Sequence, residues 1–147
     1  MKNSMNDRVF IDTNILVYAT LKDDQPKHEQ AVSFITSLKG SSLFVSTQVM
    51  SELYVALLKH AIDENCIVKT LTQIAATFNV SAISLDTVSS AWKVKKKHHY
   101  SYWDSLIVAS ALESASTILY TEDMQHAQLI EKQIRIINPF KQAIEVK

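Results

Sequence analysis

Short apolar runs alternate along the chain with longer stretches whose apolar residues recur at helical spacing. Arg8-Val-Phe-Ile-Asp12 reads as a buried strand that stops on a carboxylate. Leu43–Ser46, Val80–Leu85, Thr117–Thr121 and Ile134–Ile137 read as four more strands. Between them the pattern predicts helices. The first covers Asn14–Thr20. The second begins behind Asp23 and Asp24, with Pro26 in its first turn, and stops at Gly40. The third runs from about Thr47 to Ala61, with Val49, Leu53, Leu57 and His60 on one face. Another spans about Cys66 to Phe78. Asp86 or Thr87 caps the next, which passes Trp92 into a lysine run. Trp103–Ala115 is apolar almost all round, so it should be buried on more than one side. A short helix is expected at His126–Lys132.

Strands separated by helices imply right-handed crossovers. The expected fold is therefore α/β: a mainly parallel five-stranded sheet with helices on both faces. A length of 147 residues suits one domain, 1–147. Met1–Asp7 reads as a frayed leader, with Met5 as an alternative start. In open parallel sheets the site lies at the carboxyl ends of the strands, so polar residues just after the apolar runs are the ones to inspect.

Composition narrows the chemistry. The chain has 1 glycine, Gly40, so phosphate-cradling loops that need several clustered glycines are excluded. Lys plus Arg equals Asp plus Glu at 15 each, so no global basic field draws in nucleic acid. One cysteine, Cys66, rules out an intrachain disulfide and reads as a small buried residue. No apolar run approaches the ~18 residues of a membrane span, and the amino terminus is too polar for a signal peptide. A cytoplasmic protein is expected.

Four acids stand out. Asp12 ends the first strand, in Asp12-Thr13-Asn14. Asp123 follows the fourth, in Thr121-Glu122-Asp123. Both are also well placed to cap a following helix. Asp104 opens the buried helix on the same face as Ile107, Val108 and Ala111. A carboxylate there is costly unless it is paired, capped or bound to metal. Glu52 lies at the edge of the apolar face centred near Leu53, where a boundary carboxylate is also routine. Clustered carboxylates repel, and a divalent cation removes that conflict. Oxygen donors without a cysteine or paired histidines suit a hard ion such as Mg²⁺ or Mn²⁺. Such ions activate water and offset charge on a phosphoryl group. Thr13, Asn14 and Thr121 are placed to orient the acids or hold bound water.

Asp12-Thr-Asn-Ile-Leu-Val-Tyr-Ala, Ser51-Glu-Leu, Tyr102-Trp-Asp-Ser-Leu-Ile-Val-Ala and Tyr120-Thr-Glu-Asp-Met-Gln-His resemble the four signature segments of the PIN domain. The resemblance spans about Val9 to Phe140 and is closest to VapC-type toxins of toxin–antitoxin pairs. It implies a PIN-like α/β/α fold with Asp12, Glu52, Asp104 and Asp123 as an acidic quartet. That quartet would bind Mg²⁺ or Mn²⁺ and support RNA phosphodiester hydrolysis. It also implies a VapB-type antitoxin and a second copy of the chain as partners. One departure is visible: the family often has a glycine shortly after the last acid, and Ala127 stands here. Glu122 adjoins Asp123 as a possible substitute.

Trp92-Lys-Val-Lys-Lys-Lys-His-His-Tyr100 is the one dense basic segment, with Lys93, Lys96 and Lys97 on one helical face. It reads either as a phosphate-binding strip leading into Asp104 or as a solvated face. Tyr100, Tyr102 and Trp103 are candidates for base stacking, although core packing is the ordinary fate of Trp103. The scattered histidines do not converge on one atom. Two other functions compete with a metal-dependent endoribonuclease. One is phosphotransfer through Asp12, for which a second Asp is expected where Asn14 stands. The other is a PIN-like module that binds RNA or protein without turnover.

Overall fold

The structure is a computed structural model that describes residues 7–141. Its elements, in order, are β1 (Arg8–Ile11), α1 (Thr13–Thr20), α2 (Gln25–Ser37), β2 (Ser42–Ser46), α3 (Thr47–Lys59), α4 (Glu64–Thr77), β3 (Asn79–Ser81), α5 (Leu85–His98), α6 (Tyr102–Glu113), β4 (Ile118–Tyr120), β5 (Leu129–Ile130) and β6 (Ile134–Ile137). The strands form one sheet in the order β3-β2-β1-β4-β6-β5. Every pairing is parallel except that of β5 with β6.

Val9, Phe10 and Ile11 are all fully buried. Successive strand residues point to opposite faces, so both faces of β1 are covered. This is the signature of a parallel sheet sandwiched between helix layers. Helices α1 to α4 pack among themselves, and α5 packs on α6. Right-handed crossovers place the first group and the second on opposite faces. Helix α6 buries every residue from Ser105 to Ala111, as its all-round apolar sequence requires.

Capping explains most boundaries. Asp12, Asp24, Ser46, Asp63, Ser84 and Ser101 are the N-caps of α1 to α6, each accepting a backbone N–H with its side chain. Ser84 and Thr87 form a reciprocal capping box, so α5 starts one turn earlier than a cap at Asp86 or Thr87 would allow. That start shortens the third strand, expected at Val80–Leu85, to Asn79–Ser81.

The sheet has a sixth strand in place of the short helix expected at His126–Lys132. Glu131 and Lys132 have φ of 52° and 57°, and Gln133 N–H donates to Ile130 O at 2.9 Å. Two successive left-handed residues closing an i to i+3 bond make a tight turn, within the three-residue loop left between the paired Ile130 and Ile134. That turn favours Asn-Gly, and Glu-Lys hides it. Ala61, His99, Ala115 and Ala127 also sit at positive φ. A chain with 1 glycine thus places alanine and polar side chains where glycine is the unstrained residue.

Candidate active site

Strand order reverses at β1: the chain moves outward through β2 and β3, then returns to add β4 on the other side. Such a switch point opens a crevice at the carboxyl ends of the two adjacent strands. Asp12 follows β1, and its N–H still bonds Tyr120 O at 3.0 Å. Thr121, Glu122 and Asp123 follow β4. The chain therefore delivers both acid-bearing turns to one crevice edge.

Asp12 is 4% exposed. Its Oδ1 accepts from Thr13 N–H at 2.7 Å, which caps α1. Its Oδ2 accepts from Thr121 Oγ1 at 2.8 Å and, at 3.5 Å, from Asn14 Nδ2. Capping and an inward-facing carboxylate coexist here. Burial pushes the Asp12 carboxyl up to about 7, against these bonds and with help from the negative charges of Asp104 and Glu52.

Glu52 comes from α3 and is held by Thr13, which opens α1 next to Asp12, and by Gln48 of its own helix. Its Oε1 accepts from Thr13 Oγ1 at 2.6 Å, and its Oε2 accepts from Gln48 Nε2 at 3.1 Å. Asp104 stands in the first turn of α6, half-buried. Burial raises its carboxyl above the ordinary range, followed by the charge of Asp123, with Glu52 adding to it; a hydrogen bond with Ser101 works the other way. Asp123 is exposed and accepts from Asn14 Nδ2 at 2.8 Å. Four acids from four separate segments thus feel one another across the crevice. None of them is in a salt bridge among the described residues. Nor do three histidine, cysteine, aspartate or glutamate side chains among those residues form a ready-made metal cage.

Glu122 goes elsewhere. Its Oε1 accepts from Tyr18 Oη at 2.7 Å and its Oε2 pairs with Lys27 Nζ at 2.7 Å. Lys27 also lies over the rings of Tyr18 and Phe140, at 4.5 and 4.2 Å. Glu122 is therefore no stand-in for Asp123.

The sequence model of the PIN domain matches residues 9–132. The chain belongs to the PIN-domain family. No curated protein matches its sequence. Solved structures with the same fold include Mycobacterium tuberculosis VapC20, a Sarcin-Ricin-loop-cleaving toxin. That match has a TM-score of 0.66 at 18% identity, over 78% of this chain and 91% of that one. A toxin–antitoxin complex from Klebsiella pneumoniae matches with a TM-score of 0.67 at 21% identity, over 89% and 97% of the two chains. VapBC2 from Rickettsia felis, bound to a DNA fragment from its promoter, gives 0.64 at 16%, over 89% and 99%. At these identities the likeness is one of fold.

The PIN domain places the remaining candidates as follows. Thr13, Asn14 and Thr121 each bond one or two of the acids directly. Lys93, Lys96 and Lys97 are exposed. Lys93 and Lys97 share a shallow cavity with Leu112 and Glu131. Leu112 lies eight residues along α6 from Asp104, roughly 12 Å at helical rise. Lys97 pairs with Glu131 at 2.9 Å. Trp103 is 61% exposed, not packed in the core, and Cys66 is exposed too. His60 ends α3 at its C-cap and is exposed.

Gln48 and Lys27 escaped the sequence reading. Gln48 precedes Glu52 by four residues on one helix, which is a readable spacing. Lys27 meets Glu122 across 95 residues, and nothing local announces that.

Proposed function

We propose that this PIN domain is a divalent-cation-dependent endoribonuclease, the toxin half of a VapBC-type pair. The observation that carries this reading is the gathering of Asp12, Glu52, Asp104 and Asp123 at one crevice with no salt-bridge partner among the described residues. A structural cluster would pair its acids, as Glu122 is paired with Lys27. The donors are all oxygen, and burial keeps Asp12 near neutrality in the absence of positive charge. Both features fit Mg²⁺ or Mn²⁺, which keep several waters and take one or two carboxylates directly. Asp12, Glu52, Asp104 and Asp123 would hold the ion, directly or through water. Bound there, it would lower the pKa of a water and offset charge on the scissile phosphate.

The chain's own groups do the positioning. Thr121 and the Thr13 N–H fix both oxygens of Asp12. The Thr13 hydroxyl and Gln48 hold Glu52, which orients the attacking water. Asn14 steers Asp123. Water oxygen bonds phosphorus, the 3′ oxygen leaves with a proton, and the products are a 5′-phosphate and a 3′-hydroxyl.

The chain acts as one domain, since its main apolar core draws on β1, β2, β4, β5, β6 and helices of both layers. The residues expected as a leader, 1–7, lie outside the described chain except for residue 7. An antitoxin partner is supported by the toxin–antitoxin complexes among structures of the same fold. A homodimer rests on the family resemblance. No helix among the described residues is long and apolar enough to cross a membrane, in keeping with a cytoplasmic toxin. Incubation of the purified protein with RNA tests the proposal. Cleavage with 5′-phosphate ends in Mg²⁺, absent in EDTA and in Asp104→Asn, is expected. Full cleavage in EDTA, or 2′,3′-cyclic phosphate ends, would refute it.

A further inference from the structure

Asp104 and Asp123 reach the crevice from different supports. Asp123 stands on the loop that leaves β4. Asp104 stands in the first turn of α6, behind the short link of residues 99–101 from α5. Asp12, Glu52 and Asp123 each accept a hydrogen bond from another segment of the site, through Thr121, Thr13 and Asn14. Asp104 shares no hydrogen bond with those segments among the described residues, and its partner is its own cap residue, Ser101. The place of its carboxylate therefore follows the place of the first turn of α6.

That turn is fastened on two flanks. On one, Gln48 of α3 donates from Nε2 to the Trp103 carbonyl at 3.2 Å and to Glu52 Oε2 at 3.1 Å. On the other, Tyr100 Oη donates to Gln128 Oε1. Tyr100 lies four residues before Asp104, and Gln128 lies five residues after Asp123. Gln128 is itself anchored. Its carbonyl accepts from Ile136 N–H at 2.8 Å, and the N–H of its neighbour Ala127 bonds Ile136 O at 2.7 Å. Ile136 belongs to β6, which pairs with β4. The Tyr100 hydroxyl thus links the start of α6 to the segment that carries Asp123. His98 Nε2 and Lys97 Nζ meet Glu131 Oε2 at 3.0 and 2.9 Å, which joins the same two stretches a second time. Tyr100 is partly buried, and burial followed by the charge of Asp104 raises its hydroxyl above the ordinary range. The phenol is therefore kept protonated, within electrostatic reach of Asp104, while it bonds the Asp123 loop.

We propose that Tyr100 is a positioning residue for the cleavage reaction: through Gln128 it fixes the spacing of Asp104 and Asp123 across the crevice. The proposal rests on the ribonuclease reading above. Mg²⁺ demands near-ideal octahedral geometry, so carboxylates carried by separate elements need a fixed spacing. Loss of the Tyr100–Gln128 bond leaves both acids in the chain and lets that spacing vary. A misplacement of about 1 Å caused far from the chemistry can cost about 100-fold in rate.

Tyr100→Phe keeps the ring and removes only the hydroxyl, and Gln128→Met removes only the acceptor. In EDTA, backbone amide NMR signals read the link without metal or RNA. Tyr100→Phe should move or broaden the Asp123 signal, Gln128→Met should do so at Asp104, and both should leave Phe10 in β1 unchanged. Calorimetric Mn²⁺ affinity should fall about 10-fold in either variant and no further in the double variant. On RNA, kcat should fall about 10-fold while KM stays within about twofold. A bond that served only stability would lower the melting temperature and spare the Mn²⁺ affinity and kcat of the folded protein. An unmoved Asp123 signal in Tyr100→Phe overturns the proposal, as do losses of Mn²⁺ affinity that add in the double variant. Wild-type Mn²⁺ affinity and kcat in Tyr100→Phe overturn it too and leave the ribonuclease reading intact. If the wild type binds no Mn²⁺ and cuts no RNA, the ribonuclease reading fails by itself, and the amide signals still decide whether Tyr100 couples the two acids.

Discussion

Two acidic regions meet at the end of β4, and only one is neutralised. On one side Glu122 accepts from Tyr18 and pairs with Lys27, whose ammonium is sheltered by Tyr18 and Phe140. On the other, one residue away, Asp123 accepts from Asn14 and feels the charge of Asp104, with no salt bridge among the described residues. Glu122 and Asp123 are neighbours in sequence with the same charge. Lys27, presented by α2, makes the difference. Charge is balanced where the structure needs only stability and left unbalanced where a cation would complete it.

Neutralising Asp12 breaks this contrast most sharply. Its carboxyl has a value of about 7 in the folded state, against 3.8 as an ordinary group. The folded state therefore holds the Asp12 proton more tightly than the unfolded state. That contribution is complete below about pH 4 and is lost as pH rises through 7. In EDTA, wild-type stability should fall by up to about 4 kcal/mol between pH 4 and pH 8.5 on account of this group. Asp12→Asn should flatten that fall, and urea unfolding at the two pH values reads it. The same variant should lose cleavage by about 100-fold or more, because even groups that merely orient a metal ligand cost about 10–100-fold. A variant that is more stable at pH 8.5 yet inactive is the expected mark of a functional, unbalanced acid.

Lys27→Met attacks the balanced side. It leaves Glu122, whose side chain is 21% exposed, without its counter-charge. A loss of about 1–2 kcal/mol is expected, less than for a fully buried pair. Glu122→Gln in the same chain should recover part of it. Chemical denaturation of the single and double variants measures the coupling.

The smallest expected effect lies in the loop that follows both acids. Ala127 has φ of 70° while its N–H bonds Ile136 O at 2.7 Å. Ala127→Gly should stabilise by about 0.5–1 kcal/mol, since a left-handed alanine carries a Cβ penalty that glycine lacks. Because neither acid is touched, the pH dependence set by Asp12 should be unchanged.

The acids were legible in the sequence from their places at the edges and interruptions of apolar segments. Asp12 ends an apolar run, Asp104 interrupts an apolar face, and Glu52 edges another. The parallel layers were legible for the same reason: a strand such as Val9–Ile11 is continuously apolar only when both faces are covered. The β5–β6 hairpin was hidden because Glu131 and Lys132 occupy conformations that Asn-Gly would have advertised. The balance at Glu122 depends on a lysine 95 residues away. The exposure of Trp103 was hidden as well. An all-round apolar helix gives no clue to which residue of its first turn faces solvent.

The central claim is that a divalent cation completes the unbalanced side. Calorimetric titration of the protein with Mn²⁺ at pH 6, in two buffers of different ionisation enthalpy, tests it most directly. Cation binding requires the ionised carboxylate. Wild type should bind Mn²⁺ with release of close to one proton, and Asp12→Asn should bind little or none. Binding by Asp12→Asn equal to that of wild type, or binding without proton release, would contradict it.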